Sequence, residues 1–187
     1  MEFIAHVRGN GDRQPLREHL CGVARITGIN AGKVGLSPLG ELIGLLHDIG
    51  KHSDIFQAYI RSANGILNQD EDEGYVDATR LKGRIDHSSA GAQIVWQAFS
   101  GRGKLEGYIG QMLALCIASH HSGLIDCLSS DRQSLGEDIF TRRMNKPDER
   151  THLTEAWGKA DAIIRERVEA LLANIAGVET ILEALDD

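Results

Sequence analysis

Apolar residues recur at a helical spacing along most of the chain, and this pattern predicts a bundle of helices. The first apolar stripe begins after Pro15, a residue that suits the first turn of a helix, and runs to Gly28. The second begins at Ser37-Pro38 and ends at His47-Asp48, and it is apolar enough for a buried central helix. Further helical stripes are predicted over residues 53–65, 87–99, 105–119 and 153–185.

The segments between these stripes are polar or rich in glycine, and we predict loops there. Residues 28–36 are one such loop, and the strongly charged residues 68–84 are expected to form a mobile one. Residues 1–14 show no sustained period, and the chain nowhere shows strand-like alternation of convincing length. Gly177 is expected to divide the last stripe into two helices. We therefore predict an all-α fold, with residues 1–187 in a single domain.

Length and composition fit one globular domain with a real core. The chain has 187 residues, of which 42% are hydrophobic and 25% are charged, close to ordinary soluble usage. No apolar run is long enough to span a bilayer and the N-terminus lacks the pattern of a signal peptide, so we predict a cytoplasmic protein. Cys21, Cys116 and Cys127 are odd in number and show no C-x-x-C spacing, which predicts reduced and mostly buried thiols.

The charge balance argues against a simple basic surface for nucleic acids, because the formal net charge is −7. It does not exclude an enzyme that acts on nucleic acids. Two bound divalent cations would add four positive charges where a phosphate must sit, and a partner domain could supply a basic groove.

Histidines stand near the ends of four of the predicted helices, as in a metal site built in the core of a bundle. The candidate ligands are His19, His47, Asp48, His87, His120 and His121. Imidazole and carboxylate together suit zinc, manganese, iron, nickel or cobalt. A carboxylate can bridge two cations, and two metals roughly 3.5–4 Å apart can clamp the attacking and leaving oxygens of a phosphoryl group.

Each candidate also has a structural interpretation. Lys51 is placed to neutralise a phosphate oxygen, or it is a cation favoured by a helix C-terminus. His121 is a ligand or orients one, and Asp86 orients His87 or caps its helix. The remaining histidines are expected to be solvated, namely His6, His52 and His152.

Three stretches around these residues resemble the HD nuclease domain of the CRISPR-associated type I helicase-nuclease. They are Leu46-His47-Asp48-Ile49-Gly50-Lys51, Asp86-His87-Ser88-Ser89-Ala90-Gly91 and His120-His121-Ser122-Gly123-Leu124. The order His19 and then His47-Asp48 is that of the wider HD superfamily of metal-dependent phosphohydrolases. The resemblance covers about residues 3–126 and implies an HD-domain helical bundle.

The resemblance implies a two-metal nuclease that cuts single-stranded DNA in CRISPR interference. One metal would be held by His19, His47 and Asp48. Asp48 would bridge to a second metal, held by His87, His120 and His121. Lys51 would meet a substrate phosphate. The implied partners are single-stranded DNA, a superfamily 2 DNA helicase domain or subunit and the CRISPR surveillance complex, with no membrane.

One departure from the family concerns a further aspartate ligand, which the family takes from a late helix. Asp161 and Asp186-Asp187 match that segment poorly, so we expect that the chain stops before this helix and that the metal at His19 and His47 lacks a ligand. Two other functions stay open. One is an HD phosphohydrolase that acts on nucleotides or cyclic nucleotides, and the other is a non-catalytic metal-binding module that docks a helicase.

Overall fold

The computed structural model describes residues 2–121, 123–129 and 136–174, and these residues are mostly helical. The helices are α1 (Leu16–Gly32), α2 (Ser37–Leu46), α3 (Asp54–Ala63), α4 (Ala78–Leu81), α5 (Ser89–Phe99), α6 (Lys104–Ser119), α7 (Ile139–Met144), α8 (Asp148–Thr151), α9 (Leu153–Lys159) and α10 (Ala162–Ala173). A 3₁₀ turn, Ile49–His52, follows α2. The predicted helical bundle is thus confirmed.

Two strands precede the helices, where the sequence predicts none. They are β1 (Ile4–Val7) and β2 (Arg13–Pro15), paired antiparallel with His6 opposite Gln14. The pairing is irregular between Ile4 and His6, so that the neighbours Ile4 and Ala5 are both buried. Because burial does not alternate along so short a strand, the hydrophobic pattern could not reveal it.

Glycines allow the central helices to approach each other closely. A Cβ at Gly40 or Gly44 would collide with the α1 backbone at Thr27 or Ala24, so α1 and α2 pack almost backbone to backbone. A Cβ at Gly50 would likewise meet the His87 carbonyl, which fixes the 3₁₀ turn against the start of α5. These contacts bring the candidate ligands of separate helices together.

Three predicted boundaries change in the structure. Helix α1 passes Gly28, which is buried against Ser37, and ends at Gly32. The charged segment 68–84 contains α4. The last apolar stripe breaks at Ala160-Asp161, where the Asp161 carboxylate accepts a hydrogen bond from the Ile163 amide and caps α10. Gly177 lies outside the described residues.

Side-chain burial corrects two further expectations. Cys21 and Cys116 lie on outward faces of α1 and α6 and are exposed, whereas Cys127 packs against the core and is half-buried. The thiols are unpaired, as predicted, but not mostly buried. His52 is not solvated but 2% exposed, with its ring edge-on to Phe3 at 5.0 Å and its Nδ1 3.0 Å from the Ile49 carbonyl oxygen. None of the described helices is long and apolar enough to cross a membrane.

Candidate metal centre

Asp48 lies at the centre of the histidine cluster, directly after α2, and its side chain is 3% exposed. Its Oδ2 is 2.9 Å from His19 Nε2 and 3.1 Å from His47 Nε2. Its Oδ1 faces His87 Nε2 at 3.5 Å and His120 Nε2 at 3.3 Å. One buried carboxylate therefore faces two sets of imidazoles, one at each oxygen.

Backbone carbonyls orient the histidine rings. His47 Nδ1 is 2.8 Å from the Gly44 carbonyl oxygen, and His120 Nδ1 is 2.7 Å from that of Ile117. A carbonyl oxygen only accepts, so these Nδ1 atoms carry the protons and the Nε2 lone pairs face the cluster. This arrangement is the one that fixes the tautomer and orientation of metal-binding histidines.

Imidazole nitrogens also approach each other in two places. His19 Nε2 is 3.1 Å from His47 Nε2, and His87 Nε2 is 2.7 Å from His121 Nε2. Two nitrogen lone pairs at this separation repel unless a proton or a cation lies between them. Each pair therefore requires a proton on one ring or a cation between the two nitrogens.

The oxygen Asp48 Oδ1 gives a direct test of whether a cation fits. It is buried, and no described residue makes a hydrogen bond to it, although His87 Nε2 and His120 Nε2 lie 3.5 and 3.3 Å away. A buried charged acceptor that is left without a hydrogen bond destabilises the folded protein by about 1–3 kcal/mol or more. Ligand atoms of Asp48, His87, His120 and His121 all lie within 4.8 Å of one another. The donor set thus suits a transition metal.

The carboxylate is held in its ionised form. Burial raises the pKa of Asp48, but close contacts with His120, His19 and His47 and the charge of Lys51 outweigh burial and hold this pKa well below its usual range. An ionised carboxylate is the form that binds a metal.

Two histidines of the cluster, His87 and His121, are held in their neutral form. Burial, together with the charges of Lys51 and neighbouring histidines, lowers the pKa of His87 to about 4 against the opposing effect of Asp48. Burial and the nearby His120 also lower the pKa of His121. Neutral imidazole is the metal-binding form, so the site is prepared for a cation at neutral pH.

Lys51 points into the cluster. Its side chain is 3% exposed, and its Nζ lies 2.9 Å from Asp48 Oδ2, 3.3 Å from the Ala5 carbonyl oxygen and 5.4 Å from the centre of the Phe56 ring. The ammonium therefore compensates the Asp48 carboxylate, a contact that neither sequence interpretation of Lys51 included.

His6 is a cluster residue that sequence reasoning missed. It lies on β1, its ring is 4.8 Å from that of His19, and ligand atoms of His6, His19 and Asp48 lie within 4.8 Å of one another. Desolvation beside the cluster and the charge of Lys51 lower its pKa to about 4. The signal available in the sequence was the apolar run Phe3-Ile4-Ala5 directly before it, which anchors the strand.

Asp86 binds the start of α5 rather than a histidine ring. Its Oδ1 accepts from the Ser89 amide at 2.9 Å and its Oδ2 accepts from the Ser89 hydroxyl at 2.7 Å, and Lys146 pairs with it. Burial raises the pKa of Asp86, but Lys146 and Ser89 lower it further, to about 2. The capping interpretation of Asp86 therefore accounts for its contacts.

A cavity of about 450 Å³ adjoins the His87 and His121 end of the cluster, and Arg84, Arg143 and Lys146 also line it. Arg143 donates from Nε to the Ser89 hydroxyl at 3.0 Å and from Nη2 to that of Ser88 at 2.8 Å. Within the described part of the chain, neither Arg84 nor Arg143 has a carboxylate at ion-pair distance. Two uncompensated guanidinium groups therefore face this cavity.

Asp161, the one of the late aspartates that the structure describes, does not complete the cluster. Asp161 caps α10 and lies 3.6 Å from Arg17 Nη1, outside the groups of ligand atoms described above. Asp186 and Asp187 lie outside the described residues. Among the described residues, Asp48 is the carboxylate that both groups of candidate ligands share.

A family model described as "Cas3, HD domain" matches residues 12–181. The match covers most of the chain, so the chain belongs to the Cas3 HD domain family, and the resemblance seen in the motifs is confirmed. Membership implies a metal-dependent HD nuclease that operates in the context of CRISPR. A search of curated proteins gave no match.

Proposed function

We propose that this member of the Cas3 HD domain family cuts single-stranded DNA in CRISPR interference, with one divalent transition metal at each end of Asp48. The observation that carries the proposal is the buried Asp48 carboxylate, whose two oxygens face different histidines. The proposed ligands are His19, His47 and Asp48 at one end and Asp48, His87, His120 and His121 at the other. Manganese, nickel, cobalt, iron or zinc would suit these donors.

The metals, when bound, would supply Lewis acidity and lower the pKa of water that attacks the phosphodiester phosphorus. The protein contributes the arrangement of the donors. Backbone carbonyls fix the tautomers of His47 and His120, and Lys51 keeps the Asp48 carboxylate ionised and in place. We propose that Lys51 is catalytic through this contact with Asp48.

The cavity beside His87 and His121 favours a polynucleotide over a nucleotide. Arg84 and Arg143 line this cavity without a carboxylate partner among the described residues, and guanidinium groups match the geometry of phosphate oxygens well. The described residues that line the cavity include no Phe, Tyr or Trp on which a single base could stack. Recognition here would therefore rest on the sugar–phosphate backbone, whose contacts carry no sequence information.

Family membership supports the proposed partners, a superfamily 2 DNA helicase domain or subunit and the CRISPR surveillance complex. We propose that they deliver a displaced strand to the cavity. We also propose that residues 1–187 act as one domain, which is supported by a continuous hydrophobic core that runs from Ala5 to Val168.

The proposal is tested by two measurements on protein purified without chelator. The first is its metal content by elemental analysis. The second is its cleavage of circular single-stranded DNA with added manganese or nickel, in parallel with mononucleotides and cyclic nucleotides. We expect two metals per chain and internal cuts in the circular strand, with little hydrolysis of the small substrates.

Other outcomes would assign another function. Hydrolysis of nucleotides without DNA cleavage would indicate a phosphohydrolase. Bound metal with neither activity, including after addition of a helicase partner, would indicate a non-catalytic docking module.

A further inference from the structure

We infer that His6 is a metal ligand, which the β-hairpin contributes to the His19 and His47 end of the cluster. The inference rests on the proposed metal site but not on the proposed DNA substrate. At this end, His19 and His47 supply two nitrogens and Asp48 supplies Oδ2, which also contacts Lys51. A tetrahedral site has four ligands, so these three donors leave a fourth position that a water or a further side chain must fill.

The position of His6 meets that requirement. Ligand atoms of His6, His19 and Asp48 lie within 4.8 Å of one another. Ligand atoms that each lie about 2.1 Å from one tetrahedral metal are about 3.4 Å apart. The three groups therefore need to close by up to about 1.4 Å to share a cation, which is within the reach of side-chain rotation.

The backbone that carries His6 is anchored to the cluster by two side chains. Gln57 accepts from the Ile4 amide at 2.9 Å, donates to the Ile4 carbonyl at 2.9 Å and donates to the Lys51 carbonyl at 2.8 Å. Lys51 Nζ donates to the Ala5 carbonyl at 3.3 Å. The residue directly before His6 is therefore held by the same lysine that contacts Asp48.

The topology supports the same role. Strand β2 leads without a loop into α1, so the hairpin and the first turn of α1, which carries His19, move as one unit. The Leu16 amide donates to the Phe3 carbonyl at 2.8 Å and closes this unit. A ligand on such a supported strand is positioned before the metal binds, which lowers the entropy lost on binding.

His6 is also the most accessible donor at its end. It is exposed, whereas His47 is buried and His19 is half-buried. A solvent-exposed ligand of this kind covers the cation from the solvent side. Loss of His6 should therefore weaken retention of one metal without disturbing the buried ligands.

The test compares cobalt binding by three variants of the full chain. His6→Ala removes the donor, His6→Asp replaces it with a carboxylate, and Gln14→Ala changes the residue opposite His6 in the hairpin without removing a ligand. Cobalt binding is followed by equilibrium dialysis with elemental analysis and by the visible absorption of the bound ion. Helix content by circular dichroism confirms that each variant is folded.

We expect His6→Ala to weaken one of two cobalt sites by about tenfold or more. Even residues that only hydrogen-bond to a metal ligand change metal affinity by about 10–100-fold. His6→Asp and Gln14→Ala should bind nearly as the unchanged protein does. Unchanged binding by His6→Ala would overturn the inference, and so would an equal loss in Gln14→Ala. Because no DNA is present, failure of the nuclease proposal would leave this result unaffected.

Discussion

The two ends of the Asp48 carboxylate differ in how their charge is compensated. Oδ2 contacts the fixed ammonium of Lys51, whereas Oδ1 has no hydrogen bond from any described residue. We refer to the group around Oδ2 (His19, His47 and Lys51) as the inner end and to the group around Oδ1 (His87, His120 and His121) as the outer end. The inner end thus has a fixed positive charge beside the carboxylate oxygen, and the oxygen at the outer end has no such partner among the described residues.

Accessibility follows the same division. His47 is 8% exposed and Lys51 is 3% exposed, whereas His121 is exposed and lines the cavity. The inner end is part of the folded core, and the outer end opens toward the arginines proposed to bind substrate. We therefore expect substitution of the buried His47 or Lys51 to affect stability together with function, and substitution of the exposed His121 to affect mainly the proposed binding of metal and substrate.

The largest effect is expected where the two ends meet. Asp48→Asn keeps the shape of the side chain but removes the shared negative charge, so both cations should bind poorly. We expect cleavage of single-stranded DNA to fall by more than about 100-fold, because even residues that only hydrogen-bond to a metal ligand change activity by about 10–100-fold. Cleavage is measured with saturating manganese, and circular dichroism serves as the folding control. Normal cleavage by Asp48→Asn under these conditions would falsify the mechanism.

Lys51→Met should destabilise the metal-free protein by about 3–5 kcal/mol, because it leaves a buried carboxylate without its partner. Manganese should restore part of this loss by supplying another positive charge. The measurement is urea unfolding with and without manganese, and the double variant Lys51→Met/Asp48→Asn serves as the control. If the double variant loses as much stability as the sum of the two single variants, Lys51 stabilises through packing rather than through Asp48.

The helices and the outer end could be predicted from the sequence because both depend on local signals. Helical spacing marks α1, α2, α5 and α6, and the motifs place His87 and His120-His121 at or beside helix ends. Gly50 and Gly91 allow the backbones at these helix ends to approach each other, and both glycines belong to the same sequence motifs as the histidines. The close approach of the backbones and the candidate ligands are therefore encoded in neighbouring residues.

The inner end could not be predicted in full because it depends on contacts between residues distant in sequence. His6 reaches the cluster only because Gln57 and Lys51 hold β1, and those contacts span 53 and 46 residues. The burial of His52 likewise depends on Phe3, from the far end of the chain. No local period carries such information.

The two ends should lose different metals when one ligand is removed from each. His121→Ala removes an outer donor and His19→Ala an inner one, and we expect each to lower the affinity of one cation by about 10–100-fold. Manganese titration by calorimetry measures both sites. The double variant should then show two weakened sites. Identical loss of both metals in each single variant would show that the ends do not bind separately.

His52 provides a reference histidine that is buried but outside the cluster. Burial lowers its pKa, opposed by the Ile49 carbonyl and by Asp161. The unfolded chain therefore binds more protons here below pH 6.5, and stability should fall on acidification by up to about 1.4 kcal/mol per pH unit. The cavity beside His52 also presents Glu18 and Lys159.

His52→Gln should flatten this dependence between pH 7 and pH 5. The measurement is urea unfolding in the presence of a chelator, so that metal release does not contribute. Gln14→Ala serves as the control, because it lies in the hairpin and adds no titrating group. An unchanged pH dependence in His52→Gln would mean that the cluster histidines alone account for acid sensitivity.

The smallest effect is expected for Arg143, which lines the cavity beside His87 and His121. Arg143→Gln removes one guanidinium whose described partners are two hydroxyl groups, and it leaves every proposed ligand in place. Binding of a fluorescent single-stranded oligonucleotide, measured by anisotropy with a chelator present, should weaken several-fold. The slope of log affinity against log salt should become shallower by about 0.7, the value for one phosphate contact on a single strand.

Arg167→Gln, on α10 and paired with Glu41, is the matched control and should leave the slope unchanged. Equal slopes in both variants would show that the strand does not pass the outer end through this cavity.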